Sequence, residues 1–176
     1  MRKHRVLAAA LDEWQQFVPN DELALPPVEG KWLVPVTTWL KHRDVLNQRG
    51  TPVGLRVVPG DALDALSNKL EGLVLIAVDF PSFTDGRGFT AGRLLRTRLG
   101  WQGELRAIGD VLVDTVNYLA RCGFDSFVLK EGHGPDAASA QLHFFHRAYQ
   151  QGYGSLTEQG ESSRAIRRRC LAGWKL

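Results

Sequence analysis

From Lys31 onward, short runs of β-branched and apolar residues alternate with longer amphipathic runs, which predicts successive strand–helix units around a mostly parallel sheet. Five units are expected. The first is a strand over Lys31–Val36 followed by a helix from Thr37 or Thr38 to about Arg49, with Gly50 as its stop. Pro35 argues that this strand lies at an edge or ends early. The second is Val53–Val58, then a helix that aligns Leu63, Leu66 and Leu70.

The third strand, Leu73–Val78, is apolar on both faces, as expected of a central strand covered on both sides. A long polar loop, Asp79 to Phe89, leads into a helix carrying Ala91, Leu94, Leu95 and Leu99. The fourth strand, Glu104–Ile108, precedes Asp110, placed to cap a helix over Leu112, Val116 and Leu119. Ser126–Leu129 is the fifth strand, and Ala138, Leu142, Phe145 and Tyr149 mark a last helix. Residues 1–30, broken by Asp12, Glu13 and Pro26-Pro27, read as an irregular flap, and residues 151–176 as a loop-like basic tail on a single α/β domain.

About five parallel strands alternating with helices fit an open doubly wound sheet, with an incomplete β/α half-barrel as the alternative. Both collect the loops leaving the carboxyl ends of the strands along one edge, so Asp79, Asp110 and Glu131 are expected there as strand-end acids.

Length and a 44% hydrophobic composition suit one domain with a sizeable core. No apolar run approaches the ~20 residues of a membrane span, and no secretory leader is evident, so a cytoplasmic location is expected. Cys122 and Cys170 stand far apart and outside any paired motif. The net charge of +3 hides an asymmetry: Arg2, Lys3, Arg5 and the stretch from Arg164 to Lys175 concentrate the bases at the two ends and leave the body acidic. That distribution argues against a nucleic-acid partner.

The segment from Asp79 to Thr90 is longer than an ordinary strand-to-helix connection. Asp79, Ser82, Asp85, Gly86, Arg87 and Gly88 form the candidate functional loop. Gly86 and Gly88 allow positive φ and close backbone approach, and Thr90 is able to cap the following helix. Arg93, Arg96 and Arg106 are candidate contacts to an anion or a partner, since guanidinium groups offer planar donor forks to sulfite, sulfate or phosphate. On the structural reading, Asp85 holds the turn and pairs with Arg87 or Arg93. Asp-Gly-Arg-Gly has neither the lysine of a Walker loop nor the spacing of a dinucleotide fingerprint. His143 and His146, with His133 and Glu131, could be imagined around a metal, but no ligand spacing supports it; no metal or cofactor is predicted.

In Asp79–Phe89, Leu94–Arg98, Gly103–Leu112 and Arg121–Phe127, the chain resembles the bacterial family known as domain of unknown function 934, over about Lys31 to Leu129. Gly92 and Thr115 depart from the alanine and glutamine expected at those positions. In that family the gene commonly neighbours the haemoprotein of assimilatory sulfite reductase. The resemblance therefore implies an accessory of sulfite reduction that docks on sulfite reductase or its electron donor. The alternative is a small enzyme or ligand-binding protein acting on an anionic sulfur or phosphate compound at the strand-end edge.

Overall fold

A computed structural model describes residues 4–21, 23–132, 134–142 and 152–153. These form seven strands: β1 (Arg5–Ala8), β2 (Trp14–Gln16), β3 (Lys31–Pro35), β4 (Val53–Val57), β5 (Leu73–Phe80), β6 (Glu104–Gly109) and β7 (Ser126–Leu129). Four α-helices accompany them: α1 (Val36–Gln48), α2 (Arg87–Thr97), α3 (Val116–Cys122) and α4 (Pro135–Leu142). All neighbouring strands pair in parallel, in the order β1-β7-β6-β5-β4-β3-β2. The chain thus steps through β2 to β7 without reversing, and the incomplete-barrel form of the expected α/β fold fits this winding.

The sheet has seven strands where about five were expected. The two additional ones come from residues 5–16, which join the sheet instead of forming an irregular flap. They occupy opposite edges, although only residues 9–13 connect them. Seven strands laid flat would separate the edges by roughly 29 Å at ~4.8 Å per step. The six links from Ala8 to Trp14 span at most about 20 Å. The sheet is therefore curled, and residues 9–13, including a 3-10 turn at Ala9–Leu11, form a strap across its open side.

Period-two alternation sorts the strand residues between the two faces. Ile76, Val78 and Phe80 of β5 pack with Trp39, Leu46, Leu95, Val116 and Leu119 in the main core on the helical side. Leu75 and Ala77 belong to a second cluster with Leu33, Ile108 and Val128, against which Leu7, Ala9 and Trp14 pack from the edges and strap. The central position of Leu73–Phe80 agrees with its apolar sequence, since Leu75, Ile76, Ala77 and Val78 are all buried.

Several local expectations are corrected. β3 is interior to the sheet and not at an edge, while the other alternative holds, since the strand ends early at Pro35 and the helix begins at Val36. The helix expected through Leu63, Leu66 and Leu70 is a 3-10 turn over Leu63–Leu66. α2 begins at Arg87, so Gly88 and Thr90 lie within the helix and Thr90 is not its cap. Gly86 has φ −72°, so the first glycine of the loop is not there to supply a left-handed turn. Gly88 does supply close approach: a Cβ there would stand 2.5 Å from Phe80 Cε1. His133, His143, His146, Phe145, Tyr149 and the basic stretch from Arg164 to Lys175 lie outside the described residues.

Candidate functional site

β5 extends two residues further than the apolar run predicts, which places Asp79 inside the strand. Its alternation turns Asp79 toward the concave face, where Arg56 of the neighbouring β4 donates to Oδ2 through Nε at 3.1 Å and through a second bond from Nη2. An arginine within the otherwise apolar Val53–Val57 was the sequence signal for this pair. Asp79 is thus occupied by a cross-strand partner and does not belong to the loop.

The loop itself is closed by short-range bonds. Ser82 and Thr84 share a hydroxyl contact of 2.9 Å. Asp85 accepts from the Arg87 backbone N–H at 3.1 Å and from its guanidinium at 2.9 and 2.7 Å. The guanidinium bond holds the Asp85 carboxyl below its usual range, and the carboxylate in turn raises Arg87. Asp85 therefore fixes the turn into α2, as the structural reading expects, while Arg87 remains largely solvent-exposed.

Asp110 does not cap a helix. Its Oδ2 accepts from the Phe83 N–H at 3.0 Å and its Oδ1 pairs with Lys130 at 2.8 Å, so it ties the β5–α2 loop to the end of β7. Glu131 follows Lys130 and lines a cavity on the concave side. The three strand-end acids thus leave adjacent strands but face different partners.

The candidate arginines divide sharply. Arg96 has no exposed side-chain surface and donates to the carbonyls of Gly123, Trp101 and Gly103 at 2.9, 2.6 and 2.8 Å, and to Asp125. Arg106, 4% exposed, is held by Asp12 at 2.5 Å, Glu104 at 2.8 Å and Ser126 at 3.2 Å. Both are buried structural cations and not surface contacts, a correction to their expected role. Arg93 alone of the three stays exposed.

The helical side also carries an aromatic cluster. Phe80 and Phe89 meet at 5.1 Å between centroids, Phe89 and Tyr118 at 4.9 Å, and the Arg121 guanidinium lies 6.0 Å from the Tyr118 ring. Tyr118 is 49% exposed and Phe83, on the loop held by Asp110, is 57% exposed. Phe83 stood in view within a polar loop, a signal of its own, whereas Tyr118 lay on a helix whose outward face sequence periodicity did not resolve. Cys122 is buried nearby, and burial raises its thiol above the ordinary value, which keeps it in the unreactive protonated form.

Two cavities flank the strap on the concave face, sharing Asp12 and Trp14. One of about 440 Å³ opens between the amino ends of the strands at Arg5, Lys31, Pro52 and Val74; the other, about 480 Å³, opens at their carboxyl ends. The concave side was missed because its wall comes from residues 9–16. Among the described residues no group of three or more His, Cys, Asp or Glu is arranged to hold a metal ion, and no helix is long and apolar enough to cross a membrane.

Fold and faces together define a curled, all-parallel α/β half-barrel with an aromatic–arginine surface on its helical side and an open lumen on the other. Residues 54–157 match the family described as bacterial protein of unknown function (DUF934), and the chain belongs to that family. No curated protein matches it.

Proposed function

We propose that the chain is an accessory of assimilatory sulfite reduction, and that it docks on sulfite reductase through Phe83, Tyr118, Arg87, Arg93 and Arg121. The observation that carries the docking face is the exposure of two aromatic rings, Phe83 and Tyr118, on the helical side, with the Arg121 guanidinium 6.0 Å from the Tyr118 ring. Aromatic anchors and arginine are the residues that dominate interface energetics, and here Phe83 is braced from behind by the Asp110 bond to its own N–H. Pre-ordered rings lose little freedom on association.

The partner surface that complements this face is acidic with an apolar centre. Sulfite reductase, or the protein that delivers electrons to it, is the partner the family resemblance implies. Arg96 and Arg106, once removed from the surface, leave the docking face smaller than the arginine-rich sequence suggests, and the aromatics supply the affinity that scattered charges would not.

The test is co-purification of the full chain with the sulfite reductase haemoprotein, followed by titration. Phe83→Ala and Tyr118→Ala are each expected to weaken association about tenfold or more, the range of interface hot spots, with unchanged melting curves. Arg87→Ala is expected to slow association and reduce its salt dependence. A complex that forms equally well with Phe83 and Tyr118 both replaced overturns the docking face. Absence of any complex with the haemoprotein or with its electron donor overturns the assignment to sulfite reduction.

A further inference from the structure

The carboxyl-end cavity of the lumen has the volume of a small-molecule site. Leu33, Ile108 and Val128 from three strands make its apolar floor, Trp14 of β2 makes a wall, and Asp12, Gln16 and Glu131 stand around it. It lies on the face of the sheet opposite the aromatic–arginine surface, so what it binds is independent of the proposed docking.

Charge balance selects the ligand. Lys130, the one cation among the described lining residues, is held by Asp110 at 2.8 Å. Deeper in the lumen, Arg56 is matched by Asp79, and Arg106 and Arg5 are matched by Asp12 and Glu104. Among the described residues, every lining or underlying cation is therefore matched by a carboxylate. Acceptors are left over: Asp12 uses Oδ1 for both Arg106 and the Trp14 N–H, leaving Oδ2 without a partner among the described residues. Glu131 and the Gln16 amide carry no bond there either. With Asp12 counted against Arg106, one carboxylate of the lining, Glu131, is in surplus, and together with the open Asp12 oxygen and the indole ring it attracts a cation, by Coulomb interaction and by the ring quadrupole. An anion would meet the unmatched Glu131 carboxylate and, among the described residues, no cation without a carboxylate partner.

We infer that this cavity binds a small organic cation, a primary ammonium on an apolar body of about one ring, with the ammonium at Asp12, Glu131 and Trp14 and the body on Leu33, Ile108 and Val128. Asp12 is the positioned member: Arg106 and the Trp14 N–H hold its Oδ1, which leaves Oδ2 for the ligand.

The experiment titrates the full chain with 2-phenylethylammonium, 3-phenylpropionate and 3-phenylpropan-1-ol, three probes of matched size and different charge, followed by saturation-transfer NMR and calorimetry. Saturable binding of the ammonium, at least fivefold tighter than the alcohol and with no binding of the carboxylate, is expected. Glu131→Gln, on an exposed turn, should weaken the ammonium at least fivefold and leave the alcohol unchanged. Ala9→Phe, which projects a ring into the cavity from the strap, should abolish binding; should that variant fail to fold, the charge series and Glu131→Gln decide the matter alone. Equal binding of the three probes, preference for the carboxylate, no saturable ammonium binding, or an ammonium affinity untouched by Glu131→Gln each overturns the proposal.

Discussion

Asp12 and Arg106, ninety-four positions apart in sequence, meet at 2.5 Å on the concave face, and this bond holds the strap between the two edge strands against the interior of the sheet. Both side chains are largely buried. Removing one partner leaves the other charge buried without compensation, which costs about 3–5 kcal/mol. Arg106→Ala is expected at the upper end of that range, because Glu104 and Ser126 each lose a donor as well. Asp12→Ala should cost less, since Arg106 retains Glu104. Urea denaturation of both variants and of the double variant gives their coupling; additivity within ~0.5 kcal/mol would show that the pair does not fasten the strap.

Arg96 presents a sharper case, because its guanidinium satisfies three carbonyls and a carboxylate at once with no exposed surface. Those carbonyls belong to the turns after α2 and α3, so one side chain closes both turns and seats them on β6. A lysine keeps the charge but offers a single ammonium in place of a planar fork. Arg96→Lys should destabilise by roughly 2–4 kcal/mol, approaching the effect of Arg96→Ala. A lysine variant melting with the parent would mean that charge alone matters at this position.

The Glu104 cluster gives stability a pH dependence of definite sign. Burial by itself pushes the Glu104 carboxyl up, but hydrogen bonds from Ser126 and Arg106, the Arg106 charge and a bond from Arg5 outweigh it, and the net shift is downward from the ordinary 4.5. A carboxyl depressed on folding contributes stability that is fully present above its unfolded value and is lost as pH falls through the folded one. Stability of the parent should therefore decline as pH drops below about 4.5, and Glu104→Gln should flatten that decline while lowering stability at neutral pH. Equilibrium unfolding between pH 7 and pH 3 measures both. Parallel pH profiles for parent and variant would remove Glu104 from the acid response.

The alternation from Lys31 to Leu129 was legible because its strands are apolar enough to carry their own signal, and Leu73–Val78 announced its central place directly. β1 and β2 were not, being four and three residues long and carrying Arg5 and Gln16 toward a charged lumen rather than an apolar core. Asp12 and Glu13 read as breakers, yet Asp12 turns inward to Arg106 and Glu13 pairs with Lys31. Arg96 read as a surface group because its carboxylate, Asp125, lies 29 positions away, beyond any local pattern; Arg106 has Glu104 two positions before it, but Asp12, the partner that ties it to the strap, lies 94 positions away. The Asp85–Arg87 pair was readable for the opposite reason, its partners standing two residues apart.

The two glycines that flank Arg87 differ in what they do, and substitution by alanine separates them. Gly86 has an ordinary negative φ, and an added Cβ would meet nothing within 4 Å. Gly86→Ala is therefore expected to be neutral or to stabilise by up to about 1 kcal/mol, through the reduced freedom of the unfolded chain. Gly88 lies in the first turn of α2, where an added Cβ would stand 2.5, 2.6 and 2.9 Å from three carbons of the Phe80 ring. That ring is buried and is backed by Phe89 and Phe124, so it has little room to withdraw. Helix propensity favours alanine by about 1 kcal/mol, but forcing a methyl into a packed aromatic contact costs roughly 1–3 kcal/mol, and burial at this site places Gly88 at the high end. Gly88→Ala should thus lower stability, displace Phe89 and Tyr118, and weaken partner association in step. Thermal melts of the two variants, with near-ultraviolet circular dichroism as the readout of aromatic packing, distinguish the positions. Equal stability of Gly86→Ala and Gly88→Ala would show that the helix N-terminus is not seated on Phe80.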